Sequence, residues 1–264
     1  MVAAALSFAP LAAGAALRVV RPGTLVRWPG GAIESCSLGG RAFAPIAGAC
    51  VYTVDLLHPP GLLKLSRRRG GRRETATVRV GRFDYPLQRL TLPPGMVELS
   101  PQDAQRVRRE NQEVAGLWAR GGPRRFTLPL QAPLDPLPQG GGFGSRRVIN
   151  GEPRSPHGGA DYTAPEGAPA LAAADGVVAL VGDHFFGGRS VFVDHGDGLI
   201  TMYFHLSRVD VTQGQPVRRG ERVGAVGSSG RATGPHLHFG VRWRAARVDP
   251  RLLLGDPGRL PAIE

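Results

Sequence analysis

Short apolar or alternating runs, separated by glycine and proline turns, constrain the fold of this chain more than any other feature. Between about Thr24 and Leu92 the runs are CVYTVDLL, TATVRVG and QRLTL, and the turns between them are HPPG, RRRGGRR and LPPG. Runs of this length with turn residues at their ends are typical of β-strands. The pattern predicts a small antiparallel β-sandwich over residues 24–95, with the arginine-rich segment 67–73 at a solvated hairpin tip.

A helix follows the predicted sandwich, in the segment LSPQDAQRVRRENQEVAGLWARGG. Ser100 is a favourable N-cap and Pro101 suits the first helical position. Apolar residues recur at helical spacing, and Gly121 and Gly122 would end the helix. We expect a connector helix within residues 96–122, with an apolar stripe formed by Ala104, Val107, Val114, Leu117 and Trp118.

The composition changes after the proline- and glycine-rich passage PLQAPLDPLPQGGG. From Phe143 onward the chain is rich in glycine and β-branched residues, with hairpin-like turns such as HGDG. Six of the seven histidines lie between His157 and His238. We expect residues 123–264 to form a second domain built on an antiparallel β-sheet, so that the whole protein is mainly β.

The charge of the chain favours anionic partners. The formal net charge is +12 over 264 residues, and Lys64 is the only lysine, so arginine supplies nearly all of the excess. A basic balance of this size suits nucleic acid, an acidic polymer or a membrane surface. No block of arginines interleaved with aromatic residues and no nucleic-acid-binding module is present in the sequence, so we expect no nucleic-acid partner. The oligomeric state is left open.

The N-terminal residues and the cysteines indicate export. MVAAALSFAPLAAGAALRVV is apolar and contains a small-residue pattern at residues 13–15, which is typical of a signal peptide, although no basic residue precedes the apolar run. The run is too short to span a membrane. We predict a leader over residues 1–23 and a periplasmic or cell-envelope location. In that setting Cys36 and Cys50, with thirteen residues between them, would form a disulfide.

The histidines suggest a metal site. In an extended GPHLHFGV segment, His236 and His238 would project from the same face of a strand. His157 and Asp161 stand four residues apart in SPHGGADY, where two glycines argue against a helix. Two histidine nitrogens and one carboxylate oxygen are a common ligand set for catalytic zinc, which keeps a further position open for water. His205, in the apolar run MYFHLS, would be costly to bury without a partner.

The order of these segments resembles the M23 family of zinc peptidases, the LytM- and lysostaphin-like enzymes that cut bacterial peptidoglycan. PHGGADY, YFHLS and GSSGRATGPHLHFGV carry the resemblance, which extends from about Phe143 to Trp243. It implies one zinc ion per chain, held by His157, Asp161 and His238. It also implies that His205 and His236 are catalytic, and which of them is the general base stays open. The expected substrate is a peptide cross-link of peptidoglycan, in particular the D-alanyl–diaminopimelate bond.

Three alternatives to a peptidase are each less favoured by the sequence. An inactive relative could bind the cell wall or activate an amidase, but such domains typically lose ligand residues, whereas all five positions are filled here. The glycine-turn hairpins of VTQGQPVRRGERVGAVGSS are similar to those of lipoyl and biotinyl carrier domains, which need a lysine at the hairpin tip, and Lys64 lies elsewhere. A serine or cysteine hydrolase is disfavoured because no G-x-S-x-G motif occurs and the cysteines lie far from the histidines.

Overall fold

The structure, a computed structural model, describes residues 17–93 and 97–263. It is mainly β, as the sequence predicts. Seven strands form the N-terminal part: a five-stranded sheet in the order β1-β7-β6-β3-β4 and a two-stranded sheet, β2-β5. These strands are β1 (Val19–Val20), β2 (Leu25–Pro29), β3 (Ile33–Leu38), β4 (Arg41–Phe43), β5 (Ala49–Thr53), β6 (Gly61–Arg69) and β7 (Arg72–Val80).

The two N-terminal sheets enclose a small apolar core, which makes this part a β-sandwich. Its buried members include Val26, Trp28, Tyr52 and Leu65. Cys36 on β3 and Cys50 on β5 are joined by a disulfide with a Cα–Cα distance of 5.6 Å, so the predicted pairing is present. The bridge crosses from the five-stranded sheet to the two-stranded sheet and therefore links the two layers covalently.

The predicted leader lies largely outside the described residues, because residues 1–16 are not described. Val19 and Val20, which the prediction assigned to the leader, form β1 and pair in parallel with Arg79 and Val80 of β7. Val20 is buried in the core of the sandwich. These two residues therefore belong to the folded N-terminal sheet. Among the helices of the described residues, none has the length and apolarity needed to cross a bilayer.

The prediction of a solvated, arginine-rich hairpin tip is confirmed only in part. The turn lies at Gly70 and Gly71, but Arg67 is buried. Its guanidinium carbon lies 4.1 Å from the centroid of the Trp28 ring, and its Nε donates to Glu74 Oε2 at 2.6 Å. Burial of the charge is tolerated because the guanidinium has both an aromatic face and a carboxylate partner.

A connector helix, α1 (Pro101–Ala115), continues as a 3-10 turn over Gly116–Ala119. The predicted cap is present: Ser100 Oγ accepts from Asp103 N at 3.0 Å. The helix ends earlier than the predicted glycines at 121 and 122. Three residues of the predicted apolar stripe, Val114 of the helix with Leu117 and Trp118 of the 3-10 turn, pack against the C-terminal sheet in a cluster with Ala179, Leu180, Phe192, Ile200 and Met202.

A ten-stranded antiparallel sheet forms the C-terminal part, with a central path in the order β17-β14-β15-β16-β19-β12-β9. β18 pairs with β13 and β16, and β20 pairs with β19. The strands are β9 (Gly140–Gly141), β12 (Gly159–Thr163), β13 (Pro169–Leu171), β14 (Gly176–His184), β15 (Gly188–Asp194), β16 (Leu199–Val209), β17 (Pro216–Val217), β18 (Arg222–Val226), β19 (His236–Trp243) and β20 (Ala246–Arg247). A short helix, α2 (Arg251–Leu254), and a 3-10 turn (Pro257–Arg259) follow.

A third sheet joins the two parts of the chain. It has the order β11-β10-β8, with β8 (Leu87–Leu90), β10 (Arg146–Ile149) and β11 (Glu152–Arg154). The segment QRLTL, expected as a strand of the sandwich, thus pairs in parallel with β10 instead. The C-terminal residues return to the sandwich, where Arg27 N donates to Pro261 O at 2.8 Å. Both contacts cross the predicted domain limits, and the division at residues 95 and 122 stays a prediction.

Candidate active site

Strand pairing brings the candidate ligands together. β12 and β19 are antiparallel, and their register places Asp161 directly opposite His238. On its other side, β19 pairs with β16, which sets Phe204 opposite His238. The Phe204 and His238 rings are stacked, with centroids 5.2 Å apart and planes 8° apart. A cross-strand carboxylate and an aromatic face therefore fix the orientation of the His238 ring.

His157 enters the site from the loop that precedes β12. Its backbone N donates to Ser145 O at 3.0 Å, and its carbonyl accepts from Gly144 N at 2.9 Å. The imidazole is buried, and its Nδ1 faces Gly142, where a Cβ would lie only 2.8 Å from that nitrogen. Position 142 requires glycine for two reasons: its φ is +85°, and the His157 imidazole occupies the space that a side chain would need.

Three atoms that can coordinate a metal ion converge in this site. His157 Nε2 lies 2.8 Å from His238 Nδ1 and 3.0 Å from Asp161 Oδ1, and His238 Nδ1 lies 2.8 Å from the same oxygen. When Asp161 is ionised, no placement of protons turns all three contacts into hydrogen bonds. Two ring protons aimed at the oxygen would oppose one another, and a single proton would leave two lone pairs in contact. A cation between the three atoms satisfies all of them.

The charge state of Asp161 agrees with a cation site. Burial would raise the pKa of this carboxyl, but the neighbouring His157 and His238 rings outweigh burial and hold the pKa well below its usual range. The pKa of His238 falls to about 4, because burial disfavours the imidazolium more than Asp161 favours it. An ionised carboxylate and neutral imidazoles are the protonation states that a metal ion requires.

His205 and His236 stand beside the three candidate ligands. Their ring centroids are 4.7 Å apart, and His236 Nε2 lies 4.0 Å from Asp161 Oδ1. His205 adopts a left-handed φ of +63° within β16. In a regular strand consecutive side chains point to opposite faces, yet the rings of Phe204 and His205 both neighbour His238. The strained backbone at His205 thus turns a second ring toward the site.

Both of these histidines have a defined tautomer. His205 Nδ1 lies 2.9 Å from Ser229 O, and His236 Nδ1 lies 2.8 Å from Gly234 O. A carbonyl only accepts, so each Nδ1 carries the proton and each Nε2 has the free lone pair. Burial lowers the pKa of His205 to about 4, with the hydrogen bond to Ser229 O opposing the shift. His205 is therefore neutral at pH 7 and able to accept a proton at Nε2.

The remaining histidines, His58, His184 and His195, lie outside the cluster. His195 is buried and bonds Asp175 O and Thr201 Oγ1, both at 2.8 Å. His58 lies in an exposed loop. The side-chain amide of Asn150, upstream of His157, bonds Leu92 N and Leu92 O, both at 2.9 Å.

Other residues near the cluster were not singled out from the sequence. Arg147, Arg231 and Gln88 line a cavity together with Asp161 and the clustered histidines. Arg231 lies in the GSSGRATG turn five residues before His236, and this closeness is a weak signal at sequence level. Arg147 and Gln88 carry no sequence signal, because they reach the site through the pairing of β8 with β10.

Comparisons with known proteins agree with the fold. The family model for Peptidase family M23 matches residues 155–250. A crystal structure from Pseudomonas aeruginosa, assigned to peptidase M23, is 34% identical; the match covers 89% of this chain and 94% of that chain, with a TM-score of 0.68. The chain therefore belongs to the M23 peptidase family.

Two curated relatives are similar over the C-terminal part. The peptidoglycan DD-endopeptidase ShyA of Vibrio cholerae is 45% identical over 95 residues. The DD-carboxypeptidase/endopeptidase Mpg of Neisseria meningitidis is 47% identical over 94 residues. Each match covers 36% of this chain and 22% of the relative, so the shared region is about a fifth of those proteins.

Proposed function

We propose that this protein is a zinc-dependent endopeptidase that hydrolyses D-alanyl–diaminopimelate cross-links of bacterial peptidoglycan. The observation that carries the proposal is the contact of His157 Nε2, Asp161 Oδ1 and His238 Nδ1 at 2.8–3.0 Å, which a cation satisfies and protons do not. Two imidazoles and one carboxylate are a ligand set of catalytic zinc. The names of ShyA and Mpg support the choice of bond.

The ligand residues would hold one zinc ion per chain. When bound, zinc supplies a Lewis acid that polarises the scissile carbonyl and makes a bound water more acidic. The shared contacts within the cluster and the Phe204 ring stacked on His238 keep the donor atoms in place before the ion arrives. A site organised in this way needs little rearrangement on binding the metal or the substrate.

His236 and His205 would handle the protons. Each has Nδ1–H bound to a backbone carbonyl and Nε2 free, so each can accept a proton from a water and later return it to the leaving amine. A neutral His205 in this tautomer carries no proton at Nε2, so it cannot donate a proton from that atom before it has accepted one.

The location follows from the substrate. Peptidoglycan lies outside the cytoplasm, so the proposed activity requires export to the periplasm or cell envelope. The Cys36–Cys50 disulfide agrees with an oxidising compartment. The positive charge of the chain suits an anionic wall polymer.

An inactive family member that binds the wall or activates an amidase is the alternative. The complete ligand cluster and the two defined histidine tautomers favour an enzyme over that alternative. The two possibilities differ in an assay with purified sacculi and zinc-loaded protein. An endopeptidase converts cross-linked dimeric muropeptides into monomers and leaves the glycan strands intact. Release of peptides from glycan would indicate an amidase, and unchanged dimers would support the inactive alternative.

Five single substitutions test the residue roles. His157→Ala, Asp161→Ala and His238→Ala should lose both bound zinc and activity. His205→Ala and His236→Ala should keep zinc and lose activity by about a hundredfold or more, since each removes a proton acceptor.

Metal content and muropeptide cleavage measure the two effects, and the half-buried loop residue His58 supplies the matched control, His58→Ala, which should change neither. Full zinc content in any of the three ligand variants would remove that residue from the metal site. Unchanged activity in His205→Ala or His236→Ala would remove that residue from proton transfer.

A further inference from the structure

Two cavities meet beside the ligand cluster. The larger, of about 380 Å³, lies between helix α1 and the sheet, with Val107, Trp118 and Met202 in its walls. The smaller, of about 110 Å³, borders Asp161, His205 and His236 and is closed by Gln88, Leu90 and Leu92. Arg147, Arg231 and His238 line both cavities. A molecule that extends from one cavity into the other therefore passes both arginines at the metal cluster.

No acidic side chain in the described part of the chain neutralises Arg231. Its guanidinium carbon lies 4.2 Å from the centroid of the Phe186 ring, and its side chain is half-buried. Within residues 17–93 and 97–263, no carboxylate oxygen lies within 4.0 Å of its nitrogens. Burial lowers its pKa, and repulsion from Arg147 and Arg154 lowers it further. The charge is held in place by an aromatic ring rather than by an anion.

Arg147 is also short of negative charge. Its Nη2 lies 3.8 Å from Asp161 Oδ2, and its Nε donates to the neutral Gln88 at 3.2 Å. Asp161 already serves His157 and His238, so it cannot neutralise Arg147 as well. Two guanidinium groups beside a cluster that binds a cation make this wall of the cleft strongly positive. Such an arrangement favours an anionic group of the bound molecule.

We propose that Arg231 and Arg147 bind the free carboxylate on the carbon attached to the scissile nitrogen. The inference rests on the proposed function, because in a D-alanyl–diaminopimelate cross-link that carbon carries a free carboxylate two bonds from the nitrogen. A glycine within a polyglycine bridge offers only a neutral peptide group there. A guanidinium fork matches carboxylate geometry. The two arginines therefore select peptide bonds in which the residue that supplies the scissile nitrogen carries a free carboxylate. Such a residue occurs in a D-alanyl–diaminopimelate cross-link and at the C-terminal end of a peptide.

The test compares two dimeric muropeptides that are identical except that this carboxyl group is free or amidated. The zinc-loaded full chain should cleave the free form with a kcat/KM about ten- to a hundredfold higher, the range expected for hydrogen bonds to a charged group. Arg231→Gln should abolish the preference, mainly through a higher KM, and Arg231→Lys should keep part of it. Arg222→Gln is the matched control: Arg222 pairs with Asp210 at 2.7 Å and lines neither cavity, so the preference should persist.

Calorimetric binding of both dimers to the His236→Ala protein gives a readout that does not depend on turnover. Preferential binding of the dimer with the free carboxylate, lost in the double variant His236→Ala, Arg231→Gln, supports the arginine pair. This holds even if the wild-type protein cuts neither dimer, because absent cleavage overturns only the proposed hydrolysis. Equal cleavage of both dimers by the wild-type protein overturns the carboxylate pair and leaves the hydrolysis standing. Binding without preference also overturns the pair.

Discussion

Replacing Gly159 with alanine should weaken metal binding at the candidate site, whereas the same change at the neighbouring Gly158 should not. A Cβ on Gly159 would lie 2.6 Å from His238 Nε2 and 2.6 Å from Phe239 O. A Cβ on Gly158 would have no heavy atom within 4 Å. The two glycines are adjacent in PHGGADY, and neither has a positive φ in the structure, so the pair isolates the effect of space at the His238 ring.

The size of the effect follows from these distances. Ordinary contact begins at 3.4 Å, so the ring or the strand backbone must move by about 0.8 Å. Phe239 is held by pairing with Ala160 of β12, so the backbone is costly to move. Overpacking of this kind costs about 1–3 kcal/mol. A ring displaced by about 0.8 Å no longer meets the roughly 0.2 Å tolerance of metal–ligand distances. We expect zinc affinity to fall by about ten- to a hundredfold.

Competition with a chelator measures the zinc affinity of both variants, and thermal unfolding of the metal-free proteins measures the packing cost. Gly158→Ala should bind zinc like the wild-type protein. If Gly159→Ala bound zinc as tightly as Gly158→Ala, the reasoning that Gly159 makes room for the His238 ring would be refuted.

Two further predictions concern stability. The pKa of His195 is lowered from 6.5 to about 4 by burial, so the unfolded chain takes up a proton at a higher pH than the folded protein does. This contribution to the free energy of unfolding, about 3 kcal/mol, is present above pH 6.5 and is lost as the pH falls toward 4. In urea unfolding of the metal-free proteins from pH 7 to 4, the wild-type protein should therefore lose stability more steeply than His195→Gln. Reduction of the Cys36–Cys50 disulfide should lower the free energy of unfolding by about 3 kcal/mol, measured by denaturation with and without a reductant.

Each of these two predictions has a control variant. His195→Gln keeps a donor and an acceptor for Asp175 O and Thr201 Oγ1, so an equal pH slope in both proteins would contradict the role of His195. For the disulfide, a double Cys36→Ser, Cys50→Ser variant should be insensitive to the reductant. Two reactive thiols in unreduced, unfolded protein from the cell envelope would show that the bridge does not form there.

Local sequence patterns anticipated the parts of the fold that depend on near neighbours. The HGDG turn, the Ser100 cap and the shared face of His236 and His238 follow from residues a few positions apart, since turn chemistry and strand alternation are local. The disulfide followed from the count of cysteines and the expected compartment.

The parts that could not be anticipated depend on residues distant in sequence. Leu87–Leu90 pairs with Arg146–Ile149 across 56 or more residues, and nothing in either segment specifies the partner. The burial of Arg67 depends on Trp28, which the fold brings to its guanidinium. Gly142 and Gly159 make room for the rings of His157 and His238, which lie far from them in sequence or across a strand pair. Close approach between side chain and backbone is a tertiary property.

The pairing of β8 with β10 has a consequence for how activity and selectivity can change independently. The family match covers residues 155–250, which include all five residues of the cluster. The walls of the two cavities include Gln88, Leu90 and helix α1, which lie upstream of that match. A relative that matches only residues 155–250 shares no part of these upstream walls. Under the proposed function, an exchange of the upstream segments between family members should therefore alter which cross-link is accepted and leave the hydrolytic step unchanged.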